Sequence, residues 1–306
     1  MVTARTVGSL NGFTIRKEDT YGVFSTVNAS SYGGSLITLD DKMSQEWEQD
    51  VSESRVFSDV VCTSTDYGFT AEFRYPRSSS WTKWMEYALG SLSGVQDDAD
   101  SFSAVFNVAK NERMAFFGCK INTLTLKADS RGKPVVFSAD VLARYCPPVT
   151  TGPDAVFSNF GTPVSFPAED RPGFAPITFC SPIQYSTDNG ATWIDAKAKD
   201  LNLTVNQNLQ AEPDAVIVGA NCYSLGAGLG SVPQASEIKL SFSITSQNSL
   251  WDSMKKNETK DLKFKFTLDG HTVTLTGCYL SGEMPSRSQG VYDETITAIA
   301  QDITVV

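Results

Sequence analysis

Histidine is nearly absent from this chain of 306 residues: there is one, His271. It stands directly after an Asp-Gly pair inside an alternating run, so a charge-relay triad or a metal centre built around it is excluded as an expectation. The six cysteines, Cys62, Cys119, Cys146, Cys180, Cys222 and Cys278, form no CxxC pair, which argues against a structural zinc site and a thioredoxin-like motif. They read as small core residues. No apolar run reaches the roughly 18 residues that cross a bilayer, and the first residues carry no continuous hydrophobic segment of the kind that secretion requires. The expected compartment is therefore cytosolic, with no membrane partner. Clustered Lys and Arg are missing as well. Residues 1–150 hold 18 acids and 15 bases and the remainder 17 acids and 10 bases, giving the net charge of −10 without a basic stripe to grip phosphates.

The same thinness extends to catalysis. Asp97–Asp100 lacks the glycine and terminal glutamate of a calcium loop, and the glycine-rich Gly226–Ser231 has neither the lysine nor the following helix of a phosphate loop. No catalytic residue, metal ligand or cofactor site is expected.

What the chain does have is alternation. Phe69, Ala71, Phe73 and Tyr75 share one face of a strand against Thr70, Glu72 and Arg74, and Ile238, Leu240, Phe242 and Ile244 repeat the pattern. Further strands are expected over Phe102–Val108, Ala115–Lys127, Val135–Ala143, Leu201–Val205, Leu262–Leu268, Thr272–Thr276 and Thr295–Thr304. Asp269-Gly270 suits a two-residue type I′ hairpin, and Ser186–Trp193 reads as a second turn between short strands. One helix interrupts the pattern, with Trp81, Trp84, Met85, Ala88 and Leu89 on one side and Gly90 as its stop. A shorter helical segment is expected around Trp251.

The order of these features occurs twice. Gly118-Cys119 maps onto Gly277-Cys278 at an offset of 159, and Cys62 onto Cys222 at 160; Trp84 and Trp251 mark the two helical segments, and Phe69–Tyr75 is set against Ile238–Ile244. The reading is a mainly β protein of two tandem domains, 1–150 and 151–306, divided by the Pro/Gly-rich connector 146–182. Each copy also carries a long acidic segment, Leu39–Phe57 and Asn206–Ile217. These are expected to be loops that act as docking arms on a neighbouring subunit, with Asp40, Asp41, Trp47, Glu48 and Asp50 in the first and Leu209 and Glu212 in the second.

Four stretches resemble the tail tube (major tail) proteins of long, non-contractile-tailed phages: "KEDTYGVFST" (Lys17–Thr26), "EYALGS" (Glu86–Ser91), "FFGCKINTLTLKADSRGKPVVFSADVLARY" (Phe116–Tyr145) and "GATWIDAKAKDLNLTVNQNL" (Gly190–Leu209). The resemblance implies helix-flanked β-sandwich halves whose inner sheets join into a barrel, and rings that stack into a hollow tube in the virion. It further implies self-association, contact with a tape measure protein and with tail terminator or distal tail proteins, and assembly in the host cytoplasm. Genomic DNA would pass through the lumen without specific binding, and an acidic lumen is the expected wall. Two halves allow either three chains with pseudo-sixfold symmetry, which is favoured, or six chains with the second half outside. A virion adhesin built on Ig-like sandwiches is the alternative function.

Overall fold

Alternating apolar positions place most of the chain in strands. The computed structural model describes residues 12–22, 25, 28, 31–51, 57–77, 80–95, 100–109, 112–129, 133–144, 146, 176–178, 180–209, 236–245, 262–281 and 293–306, and among these the chain forms fifteen strands and one helix. Six strands close on themselves: β1 (Gly12–Lys17), β2 (Ser31–Val51), β3 (Phe57–Arg74), β4 (Phe102–Ala109), β5 (Glu112–Ala128) and β6 (Val136–Ala143). They run β1-β2-β3-β6-β5-β4 and back to β1, antiparallel at every step.

Aromatic rings fill this barrel. Phe13 stacks on Phe106 at 4.6 Å and meets Phe73 edge-on at 5.5 Å, while Phe69 lies 4.9 Å from Phe106. Each buried ring removes a large apolar area from water, about 1.5–3 kcal/mol per side chain. The helix α1 (Thr82–Leu89) lays Trp84, Met85, Ala88 and Leu89 against the same core. The Trp84 indole donates to the Gly33 carbonyl at 2.9 Å. Gly90 ends the helix in the left-handed region, φ 78°, its N–H returning to the Glu86 carbonyl at 2.8 Å.

The second half adds β7 (Gln184–Ser186), β8 (Ile194–Asp195), β9 (Leu201–Asn206), β10 (Glu237–Thr245), β11 (Lys263–Leu268), β12 (His271–Thr276), β13 (Tyr279–Ser281), β14 (Asp293–Ala300) and β15 (Asp302–Val305). Five of them form the sheet β15-β12-β11-β7-β8. The others continue the first sheet, because β9 pairs with β5. An unbroken run of eight neighbours results: β2-β3-β6-β5-β9-β10-β14-β13. Leu240 and Phe242 on its buried side belong to one core with Phe264, Phe266, Val273 and Leu275 of the five-stranded sheet, and that core extends through the barrel.

Several expectations change here. Leu39–Val51 is not a loop but the outgoing limb of a long hairpin paired with β3, since backbone hydrogen bonding sustains a strand even where neither face has an apolar period. Strand β1 has no counterpart in the sequence reading. Thr295–Thr304 is two strands broken at Gln301. The equivalence of Phe69 with Ile238 slips by two residues: Tyr67 opposes Ala143 as Ile238 opposes Ala300, so inward faces agree while the register differs. Asp269-Gly270 does form the β11–β12 turn, with φ of 49° and 88°. The segment around Trp251, Cys222 and most of the connector lie outside the described residues.

Candidate functional site: a sheet join, two open edges and a polar face

The join between halves is a built interface. Strand β5 pairs with β9 from Thr123↔Asn206 to Ala128↔Leu201. Leu124, Leu126, Leu203 and Val205 face the core, while Thr123 donates to Asn206 at 3.3 Å and Thr125 lies 3.5 Å from Thr204 on the polar side. Asn122 pins the end of the join, its backbone carbonyl accepting from the Gln207 N–H at 2.7 Å and its side-chain oxygen from the Leu209 N–H at 2.9 Å. Gln207 is buried and reaches across to the Ala88 carbonyl at the end of α1, and Ser236 donates to it at 2.8 Å. Leu209 therefore anchors the chain's own sheet; Glu212 lies outside the described residues.

Strand pairing repeats on either side of this join. In the first half β2, β3, β6 and β5 stand side by side, and in the second β9, β10, β14 and β13 do. Lys120 opposes Leu142 as Tyr279 opposes Ile299. Gly118 and Gly277 both hold positive φ, 62° and 60°. The residue after each following strand turns back in the same way, Arg144 N–H to the Phe117 carbonyl at 2.9 Å and Gln301 N–H to the Thr276 carbonyl at 3.1 Å. Cys119 and Cys278 are fully buried beside these glycines, opposite Phe102 and Leu262. By these pairings β9 stands where β2 stands and β13 where β5 stands. Two edges are left: among the described residues, β2 beyond Ser35 pairs only with β3, and β13 pairs only with β14. Tyr279 and Ile299 beside the second edge are exposed apolar side chains, 42% and 36% accessible.

The hairpin β2–β3 extends far past the barrel. Its last rungs pair Trp47 with Cys62, Glu48 with Val61 and Asp50 with Asp59. Asp40 and Asp41 lie nearer the body, Asp40 exposed and Asp41 half-buried on the opposite face. All five proposed residues of this arm thus lie on one strand, but Asp40 faces the polar side of the sheet and Asp41 does not.

That polar side is rich in Thr, Ser and Asn. Its charges come in short couples two residues apart on one strand: Asp40 and Lys42 on β2, Glu72 and Arg74 on β3, Glu237 and Lys239 on β10. Lys127 on β5 meets Asp129 at 3.0 Å, and Lys42 reaches Asp140 on β6 at 2.5 Å across Gly68. Lys120 and Arg144 occupy the arm end of the face, turned to the Tyr21 ring at 5.7 and 5.4 Å. The bases Lys42, Arg74, Lys127 and Lys239 thus each have an acid in contact or two positions away on the same strand.

One chemically prominent residue escaped the sequence reading. Glu18 is buried, 5% accessible, and accepts from Ser101 at 2.8 Å, Ser103 at 2.6 Å, Gly22 N–H at 2.9 Å and Gly118 N–H at 2.8 Å. With its carboxylate saturated it is a clamp between the 18–22 turn and the Gly118 kink. The only signal was its place in the Lys17–Thr26 motif. Burial lifts the thiols of Cys146, Cys180 and Cys278 to about 12, so none is a poised nucleophile. His271 is half-buried with its ring 5.9 Å from Trp81. Among the described residues no group of three or more His, Cys, Asp or Glu is placed to hold a metal ion.

A sheet with matched ends, an arm and a polar wall points to assembly, and comparison with known families agrees: a profile described as "Phage tail tube protein" matches residues 8–305. The chain belongs to the phage tail tube protein family. No curated protein matches it significantly. As a member of a structural family, this tail tube protein is a β-rich component of the virion tail.

Proposed function

We propose that this chain is the repeating subunit of a hollow tail tube, that 1–150 and 151–306 act as tandem copies of one tube-forming unit, and that three chains close each ring. The observation that carries the reading is the β5·β9 join. It is a worked example, inside one molecule, of how the last strand of one unit receives the first strand of the next. Repeating it between molecules brings the β13 edge of one chain to the β2 edge of another and leaves no bare edge in that sheet when the ring closes.

Ring size follows from strand spacing. Three chains of eight strands give about 24 strands; at about 4.8 Å apart these span a backbone diameter of about 37 Å before tilt, and more once the strands incline. After side chains are allowed for, this passes a nucleic acid duplex. Six chains on the same sheet would double the diameter. The core, the helix and the five-stranded sheet all lie on one side of the eight-strand run, so that side faces outward and the polar side lines the channel. The β2–β3 hairpin, with Trp47, Glu48 and Asp50, docks on the next ring. Tube assembly in the host cytoplasm around a tape measure protein, closure by terminator and distal tail proteins, and passage of genomic DNA complete the proposal. Family membership favours the tube over an adhesin. Negative-stain microscopy of the purified chain tests it: stacked rings are expected, and persistent monomers that bind glycans or cells would reject it.

A further inference from the structure

We propose that the polar face of the eight-strand run is a charge-cancelled passage wall, on which the open bases Lys42, Arg74, Lys127 and Lys239 are each matched by an acid at close range, so that a duplex sliding past finds no uncompensated cation among them. This rests on the ring reading above, which puts that face in the channel.

The pattern lies in the placement of charge. Three strands carry an acid followed two positions later by a base on the same face: Asp40-x-Lys42, Glu72-x-Arg74 and Glu237-x-Lys239. Residues two apart on a strand are separated by about 7 Å, less than the roughly 8 Å over which a charge is felt at physiological ionic strength. Each base is therefore screened by its own neighbour before its field reaches the channel axis. Lys42 is cancelled twice, because it also meets Asp140 on β6. Gly68, between them on β3, makes this contact possible: a Cβ there would come 2.5 Å from the Val141 carbonyl oxygen, so the position stays bare and the lysine crosses it.

Between the couples the wall offers hydroxyls and amides, with Tyr279 and Ile299 as exposed apolar side chains, and many of the hydroxyls are already satisfied by one another, as in Thr125 with Thr204 and Ser241 with Thr297 at 3.1 Å. Such groups give weak, replaceable contacts to phosphate. Binding of a protein to duplex nucleic acid draws chiefly on counterions released when fixed cations neutralise phosphates. A wall whose open cations are already matched by acids releases few.

The test uses assembled tubes of the full chain, wild type and the triple variant Asp40→Asn, Glu72→Gln, Glu237→Gln, which strips Arg74 and Lys239 of their neighbouring acids and leaves Lys42 with Asp140 alone. Tubes are checked by microscopy, mixed with a short fluorescent duplex and sedimented at 50 and 200 mM salt. Wild-type tubes are expected to retain no duplex at either salt. Variant tubes are expected to retain it at 50 mM in nuclease-protected form, with affinity falling about 10³-fold by 200 mM for about six neutralised phosphates. Salt-dependent retention by the wild type, no retention by well-formed variant tubes, or retained duplex fully open to nuclease would each overturn the charge-cancelled wall while leaving the tube intact. Failure of the wild-type chain to form tubes at all would overturn the ring reading, and this inference with it.

Discussion

Alanine at Gly118 and at Gly277 should destabilise the chain unequally, and the difference can be worked out from what each new methyl meets. Both glycines hold φ near +60°, where an L residue is strained by about 1 kcal/mol. At Gly118 a Cβ would stand 2.6 Å from the Arg144 Cβ, 3.1 Å from the Tyr21 ring and 3.2 Å from the Gly22 backbone, none of which can swing away. Overpacking of this kind adds about 1–3 kcal/mol, so Gly118→Ala should cost roughly 2–4 kcal/mol in total. At Gly277 the nearest atom, 2.4 Å away, is the amide oxygen of Gln301, the far end of an exposed side chain. It can rotate into water at the loss of its bond to Tyr279, which leaves the Gln301 Cβ at 3.1 Å as a small added crowding on the backbone strain, about 1–2 kcal/mol in total. Urea unfolding of the two variants under conditions that keep the chain unassembled measures both. Equal midpoints, or a more stable Gly118→Ala, would refute the assignment of rigid packing to the first kink and yielding packing to the second.

Glu18→Ala strands four donors in a buried turn and should cost about 3 kcal/mol or more by the same denaturation assay; a loss below about 1 kcal/mol would show that the carboxylate is not the clamp described. Replacing residues 43–64 by a short turn should leave rings intact and prevent stacking, and tubes of normal length in micrographs would defeat the docking arm. Alkylation of a variant retaining only Cys278 should run about 10³-fold slower at pH 8 than for a free thiol, because burial holds its thiol at about 12; rapid labelling of the folded chain contradicts that burial. Asp188 is held low, at about 2, by the Ser186 hydroxyl and then by Thr192. Because the folded value is depressed, its contribution is present above 3.8 and lost as pH falls toward about 2, so the protection of amides in the 186–193 turn, taken relative to their intrinsic exchange rates, should fall over that window and stay constant between pH 5 and 8.

Sequence patterns revealed strands wherever one face is buried, because burial is what imposes alternation. Val136–Ala143 and Lys263–Leu268 alternate strictly and were placed to within a residue. The Asp269-Gly270 turn and the Gly90 stop were legible because each demands a left-handed backbone that few residues accept. The arm was not legible as a hairpin: beyond Met43 it has polar residues on both faces, so nothing in the pattern separates a two-stranded ribbon from a loop. Nor could alternation reveal that β1 closes the barrel or that β9 pairs with β5, since partners so far apart in sequence are chosen by shape and edge rather than by local period. The Gly-Cys anchors were visible as a spacing, but the shared turn-back onto Phe117 and Thr276 emerges only from hydrogen bonds. The charge couples were present as plain text in Asp40-x-Lys42, Glu72-x-Arg74 and Glu237-x-Lys239. Their meaning depended on three separate strands presenting one face.

Cryo-electron microscopy of the assembled particle, at a resolution that separates strands, addresses the main claim most directly. The account requires three chains per ring, with the β13 edge of each beside the β2 edge of its neighbour in the geometry of the β5·β9 join, and the polar face toward the axis. Six chains per ring, or a β2 edge left unpaired along the channel, would contradict it.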